Sequence, residues 1–379
     1  MSDFEEVADP TAVVRALMEA DDRRIIAVME RVKRVYVETA RDEDAAEHFR
    51  DLMRGMCTRR DHESPHDRQN RLEGNIMVVL GASGAGKSTL LRNCFVDSGL
   101  CPGYGIQGSG CPVISVEAPS PCGSKELAAA VLEVTGWSLT RNADGPEAWR
   151  QVRRRLRALG VLILNINEMQ HVPQSANSKI QVEVRNALKG LMVDQVHPVG
   201  LVISGMPETQ AFLCPENQEE RRSEHPDVQV QRRGSWMFVD PLVMPDDNDM
   251  VAAMVEELAK VAGLKVEADL GKLLVPRLMH AGRCLLGITV TEIHDAIQRA
   301  IKLPRGTLRS STAPKGSPAL TLAHFADAYR FRTGSLPRWN PYLADDYRHI
   351  DTSKVLVRRE PEPPKPAGSK VNPPAGGRS

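Results

Sequence analysis

The stretch NIMVVLGASGAGKSTLLRN carries the most chemistry per residue in this chain, because it sets Gly81, Gly86, Lys87 and Ser88 in the G-x-x-x-x-G-K-[ST] spacing. That spacing suits phosphate. The backbone N–H groups from Gly81 through Ala82, Ser83, Gly84, Ala85 and Gly86 can close around an anion, and Lys87 neutralises the β and γ oxygens. Ser88 offers a hydroxyl to Mg²⁺, and Thr89 continues into a helix whose N-terminus favours negative charge. A glycine-rich turn that binds nothing rarely reproduces all eight positions between a strand pattern and a helix pattern, so the motif predicts a site for ATP with Mg²⁺.

A second stretch, VLILNINEMQH at 161–171, is aliphatic and then polar, as a buried strand that delivers side chains to a site. In P-loop ATPases such a strand ends in an aspartate that holds Mg²⁺ through water, next to a glutamate that orients the attacking water. Here Glu168 takes the glutamate's place and Asn167 the aspartate's. The Asn167 amide oxygen can accept from a metal-bound water but brings no charge, which predicts weakened Mg²⁺ binding and slow hydrolysis. Further on, LVISGMPE closes with Ser204, placed to sense the γ-phosphate. VQVQRRGSWMF puts Arg232 and Arg233 before the last strand, where either can serve as a finger to a neighbouring subunit's nucleotide or stand as a solvated pair.

The elements that must position these residues are legible as alternating patterns. NIMVVL, PVISV, VLILNI, VGLVIS and SWMFV are short aliphatic strands separated by helical stretches, which implies a five-stranded parallel sheet covered on both sides, an α/β fold. Residues about 11 to 60 read as helical, with Ile25, Val28, Met29, Val32, Val35 and Tyr36 on one apolar face. After Pro245 the strands are expected to stop, and helices follow near 247–262, 269–280, 290–302 and 321–331. We therefore divide the chain into an N-terminal helical region (1–70), a nucleotide-binding core (71–245), a helical lid (246–350) and a tail rich in proline and charge (351–379), expected to be disordered.

Lysine plus arginine and aspartate plus glutamate both number 49, so nucleic-acid binding, if present, relies on a local patch. The run Arg150, Arg153, Arg154, Arg155 and Arg157 could line a DNA channel or a subunit interface, but reads better as an exposed face whose alkyl stems cover the sheet. Seven cysteines lack a C-x-x-C pair and read as reduced thiols. The apolar runs are too short to span a bilayer, and an acidic N-terminus is unlike a signal peptide; a cytoplasmic protein without membrane contact is expected.

GASGAGKST, NEMQH, ISGMPE, the paired arginines, the helical C-terminal region and RTGSLPRWNPY together resemble the AAA+ ATPases of DNA transposition, the TnsC and TniB regulators. The resemblance runs from about residue 20 to about residue 350, and its more particular marks are the E-x-Q-H strand end and Asn340, Pro341 and Tyr342. It implies an AAA+ P-loop domain that assembles with copies of itself, as a ring or filament, on double-stranded DNA. It also implies recruitment of a transposase and a signal from a target-selection protein. Through it Lys125, in SPCGSKEL, becomes the leading contact to the DNA backbone, and Arg141 a second. Two departures stand out: Asn167 in place of aspartate, and Gly287 followed by Ile288 where a glycine-arginine sensor would stand, with Arg283 as a substitute. Two other classes share the loop: a helicase-loading or signalling AAA+ ATPase, and a small-molecule kinase, which would have a short mobile lid instead of so large a helical region.

Overall fold

The structure is a computed structural model and describes residues 9–67, 70–106, 108–140, 142–214, 233–267, 270–302 and 319–354. Arg141, Arg232 and tail residues 355–379 lie outside the described residues. Two compact units emerge: one comprises Lys33–Val255 with Cys284–Thr291, the other Met1–Val32, Glu256–Arg283 and Glu292–Ser379.

The first unit is built on five parallel strands, β1 (Ile76–Leu80), β2 (Val113–Glu117), β3 (Ile163–Asn167), β4 (Gly200–Gly205) and β5 (Gly234–Phe238), in the order β2-β3-β4-β1-β5. The strands are aliphatic runs because both faces of the inner strands are covered. One face, with Val78, Leu164, Leu201 and Ile203, packs on apolar residues of the helices Ser124–Val134, Gly145–Leu159 and Ser178–Met192. The other, with Met77, Val79, Ile163 and Val202, packs on the helices Ala40–Cys57 and Lys87–Asp97, where Phe49 and Phe95 meet at 5.1 Å between ring centroids. Since all strands run in one direction, the chain leaves β1, β3 and β4 at the same edge of the sheet. The register sets Leu80 beside Gly205 and Val79 beside Ser204, and the Gly81 amide donates to the Gly205 carbonyl at 3.2 Å.

The N-terminal helical face is shorter than its sequence pattern. Ile25, Val28, Met29 and Val32 are buried on the helix Ala20–Arg34, but Val35 and Tyr36 follow its end and Tyr36 is exposed. The reason is local: Thr39 and Asp42 form a capping box that starts the next helix, so the intervening residues are a connection.

In the second unit the helices Leu270–Ala281 and Leu322–Thr333 lie close to the expected segments. The expectation that strands end at Pro245 is corrected by a two-stranded parallel pair, β6 (Lys265–Val266) with β7 (Ala319–Leu320). Asn340 is fully buried: its Nδ2 donates to the Ala326 carbonyl at 2.8 Å and its Oδ1 accepts from the Tyr342 amide at 3.0 Å. Tyr342 packs against Phe325 and Tyr329, while Arg277 Nη1 holds the Pro341 and Ala344 carbonyls, each at 2.7 Å. No single described helix is long and apolar enough to cross a membrane.

Candidate functional site

Gly81 leaves β1 so close to the Val239 carbonyl that a Cβ would meet it at 2.8 Å, and Gly86, with φ of 97°, caps the helix Lys87–Asp97 in a conformation that strains any residue with a side chain. The loop between them exposes Ser83, Gly84, Ser88 and Thr89 and buries the Lys87 stem. Lys87 Nζ donates to the carbonyls of Gly81 at 2.8 Å and Ala82 at 3.1 Å. Burial pulls its pKa below the usual lysine range, and the nearby Glu168 carboxylate opposes that pull.

These residues line a cleft of about 290 Å³ together with Glu168 from the end of β3 and Gly287, Ile288 and Thr291 from the first turns of the helix Leu286–Ile301. The lining from this helix was not evident in the sequence. Gly287 sits so near the loop that a Cβ would lie 2.7 Å from the Gly84 carbonyl oxygen, and Ile288 fills the space beside Gly84. A glycine at a helix start was the available signal; what it approaches depends on tertiary structure. The first turns of two helices, Lys87–Asp97 and Leu286–Ile301, therefore line one cleft, and helix N-termini favour anions. Arg283 adopts a left-handed backbone (φ 58°) before this helix and is not among the lining residues.

Glu168 is also left-handed, with φ of 56°, a conformation that strains a non-glycine residue by about 1–2 kcal/mol. The turn is held from both sides: Met169 donates its amide to the Ser204 carbonyl at 3.0 Å, and Gln170 bridges the Glu168 carboxylate, at 2.6 Å, to the Met206 amide, at 3.1 Å.

Asn167 is tied differently. Its Oδ1 accepts from Ser204 Oγ at 2.9 Å and from Asn165 Nδ2 at 3.4 Å. Ser204 is fully buried and reaches Asn167 from the neighbouring strand, so these two expected site residues are brought together.

The basic candidates lie elsewhere. Arg233 precedes β5 and pairs with Glu73; β5 has its first residue beside Ile76, so Arg233 sits at the sheet edge opposite the cradle, about 20 Å away along the strand. It cannot serve its own chain's loop. Lys125 is exposed in the first turn of the helix Ser124–Val134, whose start is anchored where Trp149 Nε1 donates to the Ser124 carbonyl at 3.1 Å. The arginine-rich helix is partly engaged: Arg155 donates to the Thr135 carbonyl at 2.6 Å and lies over Trp137, and Arg150 pairs with Glu147 at 2.6 Å. The Arg155 guanidinium thus binds the end of a neighbouring helix.

Comparison with protein families matches residues 31–231, more than half the chain, to the family described as Bacterial TniB protein. No curated protein matches. Among solved structures, the Aeropyrum pernix ORC1 protein in complex with DNA is similar at 15% identity with a TM-score of 0.49, over 78% of this chain and 65% of that one. The Aeropyrum pernix ORC2 protein (ADPNP-ADP complexes) is similar at 13% identity and a TM-score of 0.49, over 78% and 67% respectively. Drosophila ORC bound to DNA is similar at 11% identity and a TM-score of 0.49, over 85% and 70%. This chain thus spans 65% of the first of these structures, less than two thirds of its length. On its parallel sheet, phosphate loop and family match, the chain belongs to the TniB family of P-loop AAA+ proteins.

Proposed function

We propose that this protein is a nucleotide-gated scaffold for transposition: ATP bound at the Gly81–Thr89 loop orders copies of the chain on double-stranded DNA, and the assembly recruits a transposase after a signal from a target-selection protein. The observation that carries the reading is the cleft itself, where the loop, Lys87, Glu168 and the N-terminus of the helix Leu286–Ile301 face one another.

Each group has a distinct task. The loop amides and Lys87 grip the phosphates, and the exposed Ser88 hydroxyl fits a cation at the first turn of the helix. Mg²⁺, when bound there, neutralises the β and γ oxygens. Glu168 orients the attacking water, and Ser204 acts behind it through Asn167. Hydrolysis is slow because no carboxylate occupies position 167, so ATP persists and resets the assembly only occasionally. Arg233 is the described candidate for a contact in trans, once released from Glu73. Lys125 grips the DNA backbone without reading bases.

The test is assembly on duplex DNA followed by gel shift and electron microscopy. ATP should produce assemblies that dissolve as salt rises, and ADP should not. Salt-insensitive or nucleotide-independent binding would rule the scaffold out.

A further inference from the structure

Between the helix Lys87–Asp97 and β2 the chain runs through CPGYGIQGSGC, residues 101–111, with a cysteine at each end. The loop closes on itself. Ser109 Oγ donates to the Gly103 carbonyl at 2.8 Å and accepts from the Cys111 amide at 3.3 Å, and the two limbs run so close that a Cβ on Gly103 would lie 2.5 Å from that of Ser109. Two residues further down each limb stand Cys101 and Cys111.

Both limbs are moored to the frame. Tyr104 donates its amide to the Cys101 carbonyl at 3.1 Å, and its ring meets Phe95 edge-on with centroids 5.1 Å apart. On the other limb the Pro112 carbonyl accepts from the amides of Leu162 at 2.8 Å and Ile163 at 3.0 Å, which fixes the backbone just after Cys111. Two free cysteines, both buried in one core cluster, are thus held at the neck of the loop. Burial pushes the Cys101 thiol up to about 11, the Ser98 hydroxyl opposes that, and the neighbouring Cys111 thiol adds to the rise. Cys94, the third thiol of the cluster, is engaged elsewhere and donates to the Ala45 carbonyl at 3.6 Å.

Two thiols on limbs already brought together need only lose their hydrogens to bond, because the fold itself has closed the loop between them. We propose that Cys101 and Cys111 are a reversible disulfide pair, reduced where small thiols prevail and closed across the neck of this loop by a small disulfide oxidant. One thiolate attacks a sulfur of the small disulfide, which releases one small thiol and leaves a mixed disulfide. The second protein thiol then attacks the protein sulfur of that mixed disulfide and releases the other small thiol. The protein loses two electrons and two hydrogens, and both hydrogens leave on the released thiols. The pair stands independently of how the nucleotide cleft is read.

Peptide mapping by mass spectrometry after exposure to glutathione disulfide tests the pairing in the full chain. The folded protein is oxidised, its remaining thiols are alkylated, and it is then unfolded and cut after aromatic residues and glutamates. Cuts after Phe95, Tyr104 and Glu117 place Cys94, Cys101, Cys111 and Cys122 on separate peptides. The Cys101 peptide should remain joined to the Cys111 peptide, two hydrogens lighter than the reduced pair, until a reductant parts them. Oxidation in urea, where the fold no longer chooses, should spread bridges over all four cysteines. The bridged protein should also unfold roughly 5 °C higher than the reduced one, because the bond restrains the unfolded chain. Cys111→Ser should leave Cys101 unbridged, and if that variant does not fold, the map of the native chain decides alone. A folded protein that forms no bridge, that joins Cys101 to Cys94, or that pairs its cysteines as indiscriminately as in urea overturns the inference. So does a bridge that lowers the unfolding temperature, since it would have been forced on a neck not shaped for it.

Discussion

Two asparagines, Asn167 and Asn340, sit in motifs that look alike in sequence, a polar residue beside a hydrophobic anchor, and the structure treats them in opposite ways. Asn340 satisfies both ends of its amide with backbone groups, Ala326 and Tyr342, and is entirely buried. Asn167 takes side-chain partners on one end only and stays half-buried at the end of a strand. A backbone-saturated amide fixes the course of the chain; one held by other side chains has its direction set and an atom left over. The first arrangement fixes the chain, and the second fixes the direction of one side chain at the end of a strand.

The largest effect that would sharpen this contrast is expected at Glu168. Glu168→Gln should lower ATP turnover by about 10²- to 10⁴-fold, the usual yield of a positioned base, with little change in unfolding temperature. Turnover within a factor of two of native would show that Glu168 has no role in activating water. Next comes Tyr342→Ala, which empties the pocket between Phe325 and Tyr329 and should destabilise the protein by about 3–5 kcal/mol in chemical denaturation. If the clasp is purely structural, nucleotide affinity at a temperature where the variant is folded stays native. Lys87→Ala removes a charge-assisted contact and should weaken ATP binding by about 1.5–3 kcal/mol in calorimetry. It also removes a buried cation, so folding stability should not fall in parallel.

How much of this was readable beforehand differs between the two regions. The five strands of the sheet were legible because each is a short aliphatic run between turn residues, and the phosphate loop because its spacing is fixed by the anion it wraps. The Ala20–Arg34 helix ends before its apolar pattern does, although Thr39 and Asp42, a threonine followed three residues later by an acid, announce a new helix start. In the sequence Gly287 reads only as an incomplete sensor, since its closeness to Gly84 depends on a tertiary fold. Asn165 carries no such signal. One polar residue inside a strand has no periodic signature, and its partners, Ser115 on the neighbouring strand and Asn167 two residues on, are set by the fold. The β6–β7 pair, two residues in each strand, is shorter than any pattern can show.

The smallest expected effect concerns the surface. Lys125 is exposed beside no ion-pair partner among the described residues, and its helix follows β2, so it stands at the same sheet edge as the phosphate loop. A lysine that contacts one DNA phosphate releases about one counterion, and Lys125→Ala should reduce the slope of log affinity against log salt by about 0.9, equally for unrelated DNA sequences. Fluorescence anisotropy with ATP present at several salt concentrations measures this slope. A loss of affinity with an unchanged slope would mean that Lys125 acts on assembly of the chains and not on DNA. A loss confined to one DNA sequence would contradict backbone recognition altogether, because a single ammonium on a flexible stem has no means of distinguishing bases when it sits on phosphate.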